Sequence, residues 1–125
     1  MEVEFILYVA DQERSRRFYE AVLGSAPTLH VPGMTEFDLG SCKLGLMPEA
    51  NIAKIITPAL SDPRDASGVP RCELYLLVED AESLCERAVL AGARSVDALR
   101  PRAWGHRAAY FADPDGHVLA LADSH

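Results

Sequence analysis

Two glutamates carry most of the chemistry that can be read in this chain. Glu4 opens the run Glu4-Phe5-Ile6-Leu7-Tyr8-Val9-Ala10-Asp11, and Glu73 opens Glu73-Leu74-Tyr75-Leu76-Leu77-Val78-Glu79-Asp80. Glu, Val and Asp recur between the two runs at a constant offset of 69 residues. A carboxylate at the same place in two repeated strands points to one shared site built from both halves. Two carboxyls facing one cavity repel each other, which raises one pKa. One then suits a general base and the other a general acid. Tyr8 and Tyr75 lie on the same strand faces as the glutamates and offer hydroxyls to the same space.

The elements that must hold these residues follow from local pattern. Residues 3–9 read as a strand, with Glu4, Ile6 and Tyr8 on one face and Phe5, Leu7 and Val9 on an apolar face expected under a helix. Asp11 is a good N-cap, Gln12 to Leu23 reads as helix with Phe18, Tyr19, Val22 and Leu23 as its apolar stripe, and Gly24 ends it. Strands are expected at 28–31, 35–39 and 42–47, with Pro32-Gly33 and Gly40-Ser41 as turns. Residues 73–78 repeat the first strand. Asp80 caps a helix to about Leu90, Gly92 ends it, and strands near 94–98, 107–112 and 117–122 follow. Asp113-Pro114-Asp115-Gly116 marks a tight turn between the last two. Each half is thus β-α-β-β-β. The fold class is α+β: one domain over 1–125, with module 1 at about 1–48, a connector at about 49–71 and module 2 at about 72–125. Pro48, Pro58, Pro63 and Pro70 punctuate the connector, which is too long for a simple turn and has room for one helical turn around Ile52–Ile56.

Composition narrows the function classes. A net charge of −7 argues against nucleic acid, because phosphate binding needs a basic face. No run reaches the roughly 18 to 20 apolar residues of a membrane span. Met1-Glu2-Val3-Glu4 is acidic, unlike a secretory signal. Cys42, Cys72 and Cys85 are odd in number and form no Cys-x-x-Cys pair, so they read as reduced thiols of a cytoplasmic protein.

Three further marks join the repeat. They are Val9-Ala10-Asp11 followed by Ser15 and Phe18-Tyr19 ahead of Leu23-Gly24, then Trp104-Gly105-His106-Arg107, then Asp113-Pro114-Asp115-Gly116-His117. In order and spacing they resemble the vicinal oxygen chelate superfamily, which includes glyoxalase I, bleomycin-resistance proteins, fosfomycin-resistance enzymes and extradiol dioxygenases. The resemblance implies paired modules curling into an open cup, often with a divalent metal at its floor. In metal-dependent relatives the ligands come from the first and last strands of each module, which here are Glu4, Gly45, Glu73 and Ala120. Glycine and alanine carry no donor atom, so the His and Glu set of glyoxalase I is missing. Glu4 and Glu73 alone, with water, suit a hard cation such as Mg²⁺ or Mn²⁺ better than Zn²⁺, Ni²⁺ is a further candidate, and His106 is the candidate third ligand.

Two functions stay open. One is a metal-dependent lyase, isomerase or dioxygenase acting on adjacent oxygens, with Glu4 or Glu73 as ligand or proton carrier. The other is a metal-free protein that sequesters a drug-like compound or metabolite in an acidic cup. Gly45 and Ala120 widen the floor and favour an organic ligand. Trp104, the only tryptophan, either packs over the core or stacks on a flat ligand. Arg102 and Arg107 read as charge compensation, and His117, in the turn motif, as structural or exposed. A chain with two modules is expected to pair as a homodimer with two equivalent pockets. Nothing indicates glutathione.

Overall fold

The computed structural model describes residues 1–125, and the two-fold repetition is visible in it. The first half comprises strand β1 (Glu4–Val9), helix α1 (Gln12–Leu23) and strands β2 (Leu29–Val31), β3 (Met34–Asp38) and β4 (Lys43–Pro48). The second comprises β5 (Glu73–Leu77), α3 (Ala81–Leu90), β6 (Arg94–Pro101), β7 (Arg107–Ala112) and β8 (Val118–Asp123). Between them lie α2 (Glu49–Ile56) and a 3₁₀ turn (Pro63–Ala66). Each half forms its own mixed four-stranded sheet, ordered β1-β4-β3-β2 and β5-β8-β7-β6. β1 runs parallel to β4 and β5 parallel to β8, and the remaining pairs are antiparallel. This is the α+β architecture of two βαβββ modules that the sequence pattern implies.

Local chemistry explains the boundaries. Asp11 caps α1 in an extended conformation, and its Oδ1 accepts the Arg14 N–H at 3.0 Å. Gly24, at φ +71°, closes the helix, as a residue without Cβ can in the left-handed region. Asp80 repeats the device at α3, accepting from Ser83 N–H and Oγ. Asp123 adds to it, its Oδ2 accepting the Ala81 N–H at 3.1 Å.

The core lies between the helices and one face of each sheet. Phe18, Tyr19 and Val22 of α1 meet Val9, Phe37, Leu44 and Leu46 of the first sheet and Ala88, Phe111, Leu119 and Leu121 of the second half. One apolar core therefore serves both modules, and truncating a residue such as Phe18 to alanine costs about 3–5 kcal/mol. Four polar contacts join the halves. Tyr19 O–H donates to Asp113 Oδ2 at 2.6 Å, Asp115 Oδ1 accepts from Ala10 N–H at 2.8 Å, and His117 Nε2–H donates to the Tyr8 carbonyl at 2.9 Å. The fourth runs from the Arg87 guanidinium of α3 to the Val22 carbonyl near the end of α1.

Three expectations shift. The helix after β4 has eight residues rather than one turn, because Glu49 to Ile56 buries Ala53 and runs without interruption up to Thr57-Pro58. β6 continues past residue 98 to Pro101, with two register breaks against β7. Phe5 does not pack under a helix. It is 67% exposed, because β1 is the terminal strand of its sheet and only Leu7 and Val9 join the core.

Candidate functional site

The faces turned away from the helices carry the candidate site. In module 1, Ile6, Gly45 and Glu36 stand in one row across β1, β4 and β3, and Glu4, Lys43 and Asp38 form the next row. Leu7 and Val9 point to the core, so Glu4 and Ile6 point to this open face. Gly45 leaves a gap in it. A Cβ there would stand 3.1 Å from Glu4 Oε2 and 2.9 Å from Ile6 Cγ1. The Glu4 carboxyl occupies the space that a side chain at 45 would fill and meets the Glu36 carboxyl over it. The hydrogen bond with Glu36 and burial, together with the Glu36 charge, push Glu4 up to about 7, against a smaller pull from Lys43. Such a pair can hold or release a proton near neutrality.

Module 2 has the matching rows with different chemistry. Tyr75, Ala120 and Tyr110 occupy the places of Ile6, Gly45 and Glu36. Ala108, Ala120 and Ala122 form a floor of small, buried residues. Above it the Trp104 Nε1–H donates to the Tyr75 oxygen at 2.9 Å, and the Tyr75 hydroxyl meets His106 Nδ1 at 2.8 Å. All three groups are satisfied when Tyr75 accepts from Trp104 and gives its own proton to Nδ1. His106 then carries its proton on Nε2, which makes no hydrogen bond in the protomer. Trp104 is 55% exposed, yet this bond holds its ring in place.

Arg102 sits 5.0 Å from the centroid of the Tyr110 ring. Its guanidinium donates to Asp97 Oδ2 and to the Ala98 and Ala108 carbonyls, so its donors are used internally. Arg107 is bound through two nitrogens to Asp123, whose carboxyl it holds well below the usual range. Neither arginine is available to a ligand, which agrees with reading them as charge compensation. Burial, with a smaller contribution from the charge of Glu73, raises the Tyr110 phenol.

The structure thus gathers the sequence candidates into two groups. Glu4 and Gly45 meet in module 1, and Tyr75, Ala120, Trp104 and His106 meet in module 2, with Glu73 at the start of the same strand. Within the protomer Glu4 and Glu73 do not share a hollow. The space around Glu4 is lined only by residues from the first 43, and the charged groups acting on it are Glu36 and Lys43. Tyr8 lies toward the other end of β1, against the connector. Glu36 and Tyr110 are additions that the repeat did not single out. The alternation Thr35/Phe37 inward and Met34/Glu36/Asp38 outward is the signal that finds Glu36.

Asp113, Asp115 and His117 bring one potential metal-ligand atom each within 4.8 Å of one another. Their donors are largely engaged. Asp113 accepts from Tyr19 O–H and from the Asp115 and His117 N–H groups, and His117 Nε2–H is on the Tyr8 carbonyl. The cluster ties the turn together. At the four positions that the resemblance marks for metal ligands, Gly45 and Ala120 offer no donor atom, the Glu4 carboxyl lies against Glu36, and Glu73 stands in the other sheet. The protomer's own donor set does not fit a resident metal there.

Residues 3–121 match the Glyoxalase/Bleomycin resistance protein/Dioxygenase superfamily, and the chain belongs to it. A crystal structure of a glyoxalase-related enzyme from Fulvimarina pelagi superposes with a TM-score of 0.83 at 25% identity, over 98% of this chain and 87% of that one. A glyoxalase/bleomycin resistance protein/dioxygenase family enzyme from Burkholderia phytofirmans gives a TM-score of 0.83 at 18% identity, over 98% of this chain and 97% of the other, and shows the fold alone. Uncharacterized proteins of Mycobacterium bovis and Mycobacterium tuberculosis are 40% identical over 59 residues, which is 47% of this chain. The matched stretch spans 38% and 34% of their respective lengths. No helix is long and apolar enough to cross a membrane.

Proposed function

We propose that the chain binds a planar small molecule in a pocket completed by a homodimer, with module 1 of one subunit facing module 2 of the other. The observation that carries this reading is the Trp104–Tyr75–His106 chain over the alanine floor. An exposed indole held by a hydrogen bond is a fixed stacking surface, and an adjacent ring N–H is a directional donor. The dimer is supported by the free edges of β1 and β5, a terminal strand in each sheet, and by the apolar residues Phe5 and Leu77 exposed along them. Pairing of these strands between subunits covers that surface. It also sets the Glu4/Glu36 pair opposite the aromatic wall, where Glu4 moves a proton to or from the ligand while Glu73 lines the mouth. The free thiols Cys42, Cys72 and Cys85 support a cytoplasmic location.

A second reading is a divalent-metal enzyme of the lyase, isomerase or dioxygenase type, in which the dimer brings Glu4 of one subunit to Glu73 and His106 of the other around Mg²⁺, Mn²⁺, Ni²⁺ or Zn²⁺. The equivalent positions of Glu4 and Glu73 in the two sheets favour it. One experiment separates the readings. The protein is purified without a metal-binding tag, its metal content is measured, and melting is recorded with each ion and with a panel of planar aromatic compounds. A ligand that binds the native state raises the melting temperature. A metal-dependent rise that disappears in Glu4→Gln and Glu73→Gln establishes a metal site at these carboxyls and supports the enzyme. A rise with aromatic compounds that disappears in Trp104→Ala, without metal, establishes the binder. A monomer by light scattering at micromolar concentration refutes the composite pocket.

A further inference from the structure

Toward the end of β1 farther from Glu4, the connector closes a hollow of about 380 Å³ against β1 and the Asp113–His117 turn. The closure is tight. A Cβ at Gly116 would stand 3.2 Å from the Gly68 Cα, and both glycines have positive φ, so backbone meets backbone where side chains would hold them apart. Ile6 and Leu7 of β1 and Val69 of the connector supply apolar wall.

Two carboxyls face this space, Glu49 at the start of α2 and Asp115 in the turn. Asp115 keeps Oδ1 on the Ala10 N–H, while its second oxygen and both oxygens of Glu49 have no hydrogen-bond partner. Burial, with the charge of Asp115 adding to it, pushes Glu49 up, and burial pushes Asp115 up as well. In both, burial outweighs the pull of the nearby cationic side chains. Of the side chains that pull Glu49 down, Arg64 is committed to Asp62 through two nitrogens at 3.0 and 2.6 Å, and His117 Nε2 is on the Tyr8 carbonyl. Arg71 lines the hollow but forms no ion pair with either carboxyl.

An apolar wall beside two free carboxyl groups complements an amphipathic cation. We propose that this hollow is a second small-molecule site that takes a primary amine, its ammonium between Glu49 and Asp115 and its apolar body against Ile6, Leu7 and Val69. A bare divalent ion is the poorer occupant, because the Asp113 oxygens and His117 Nε2 beside the site are already engaged.

The test is calorimetric titration of the full chain with benzylamine and with benzyl alcohol, its uncharged counterpart. Benzylamine is expected to bind and the alcohol not. Affinity for the amine should fall about tenfold or more in Glu49→Gln and in Asp115→Asn, since each removes one charge from the pair. Asp115→Asn keeps the carbonyl that accepts from Ala10, so it separates loss of charge from loss of fold. Trp104→Ala, which alters the sheet-face pocket, should leave amine binding unchanged. Absence of amine binding at millimolar concentration, equal binding of the alcohol, or binding that survives both carboxyl substitutions overturns the proposal. Loss of amine binding in Trp104→Ala overturns it too, by assigning the amine to the other pocket. Displacement of the amine by millimolar Mg²⁺ overturns it by assigning the hollow to a metal.

Discussion

Replacing Glu36 by glutamine tests the carboxyl pair directly. In the wild type Glu4 stands at about 7 rather than 4.5, chiefly because of its hydrogen bond to Glu36, then burial, then the Glu36 charge. Two of these three causes come from one side chain. The substituted amide keeps the size, removes the charge and presents an N–H that favours the ionised form of Glu4. The Glu4 midpoint should therefore drop from about 7 toward its ordinary value of 4.5 or below. Carbon-detected NMR of the glutamate carboxyls across a pH series reads this without any ligand. The stability consequence has a definite sign. Below 4.5 Glu4 is protonated in the folded and unfolded chains alike, and the raised value costs nothing. Between 4.5 and 7 the folded chain keeps a proton that the unfolded chain has released, so stability falls as pH rises. Above 7 the whole cost is present. The melting temperature of Glu36→Gln should match the wild type near the acid end of this window and exceed it at the alkaline end. A wild-type Glu4 that titrates near 4.5, or one whose midpoint is unmoved in Glu36→Gln, refutes the contact over Gly45.

Four further outcomes follow from contacts already described. Gly45→Ala should also lower the Glu4 midpoint, because the new methyl displaces the Glu4 carboxyl, and the same NMR titration reads it. Tyr19→Phe leaves Asp113 Oδ2 without its buried donor and should cost about 1–3 kcal/mol in urea denaturation. Asp123, held low by Arg107, contributes stability above the ordinary carboxylate range that is lost as pH falls through its depressed value; Asp123→Asn should flatten the acid limb of a pH–melting curve. Tyr75→Phe removes the acceptor of the Trp104 indole N–H, so emission from this only tryptophan should shift in the free protein, and affinity for planar ligands should fall about five- to tenfold.

The fold was legible because each half repeats the same sequence of caps and alternations. Asp11 and Asp80 cap helices at the same offset as Glu4 and Glu73, and Gly24 ends the first helix where the pattern places it. Phe5 escaped because alternation assigns a face but does not say whether a helix reaches the end of a terminal strand. Part of the candidate arrangement was legible. Tyr75, Trp104, His106 and Ala120 do come together. Glu36 was missed for a physical reason: its counterpart in the other sheet is Tyr110, so a search for repeated carboxylates passes over both. The hollow under the connector was unreadable, since it needs two loops to meet at Gly68 and Gly116, and no periodicity encodes that approach.

The fastening between the halves is one-sided. Three of its four polar links descend from the five residues Asp113 to His117, and no link comes from the corresponding β3–β4 turn of the first half. Asp113 also orders that turn from within, through Oδ1 on two backbone N–H groups. The duplicated halves are thus unequal partners, one the latch and the other the keeper. A change at a single aspartate would loosen the latch at all three points at once.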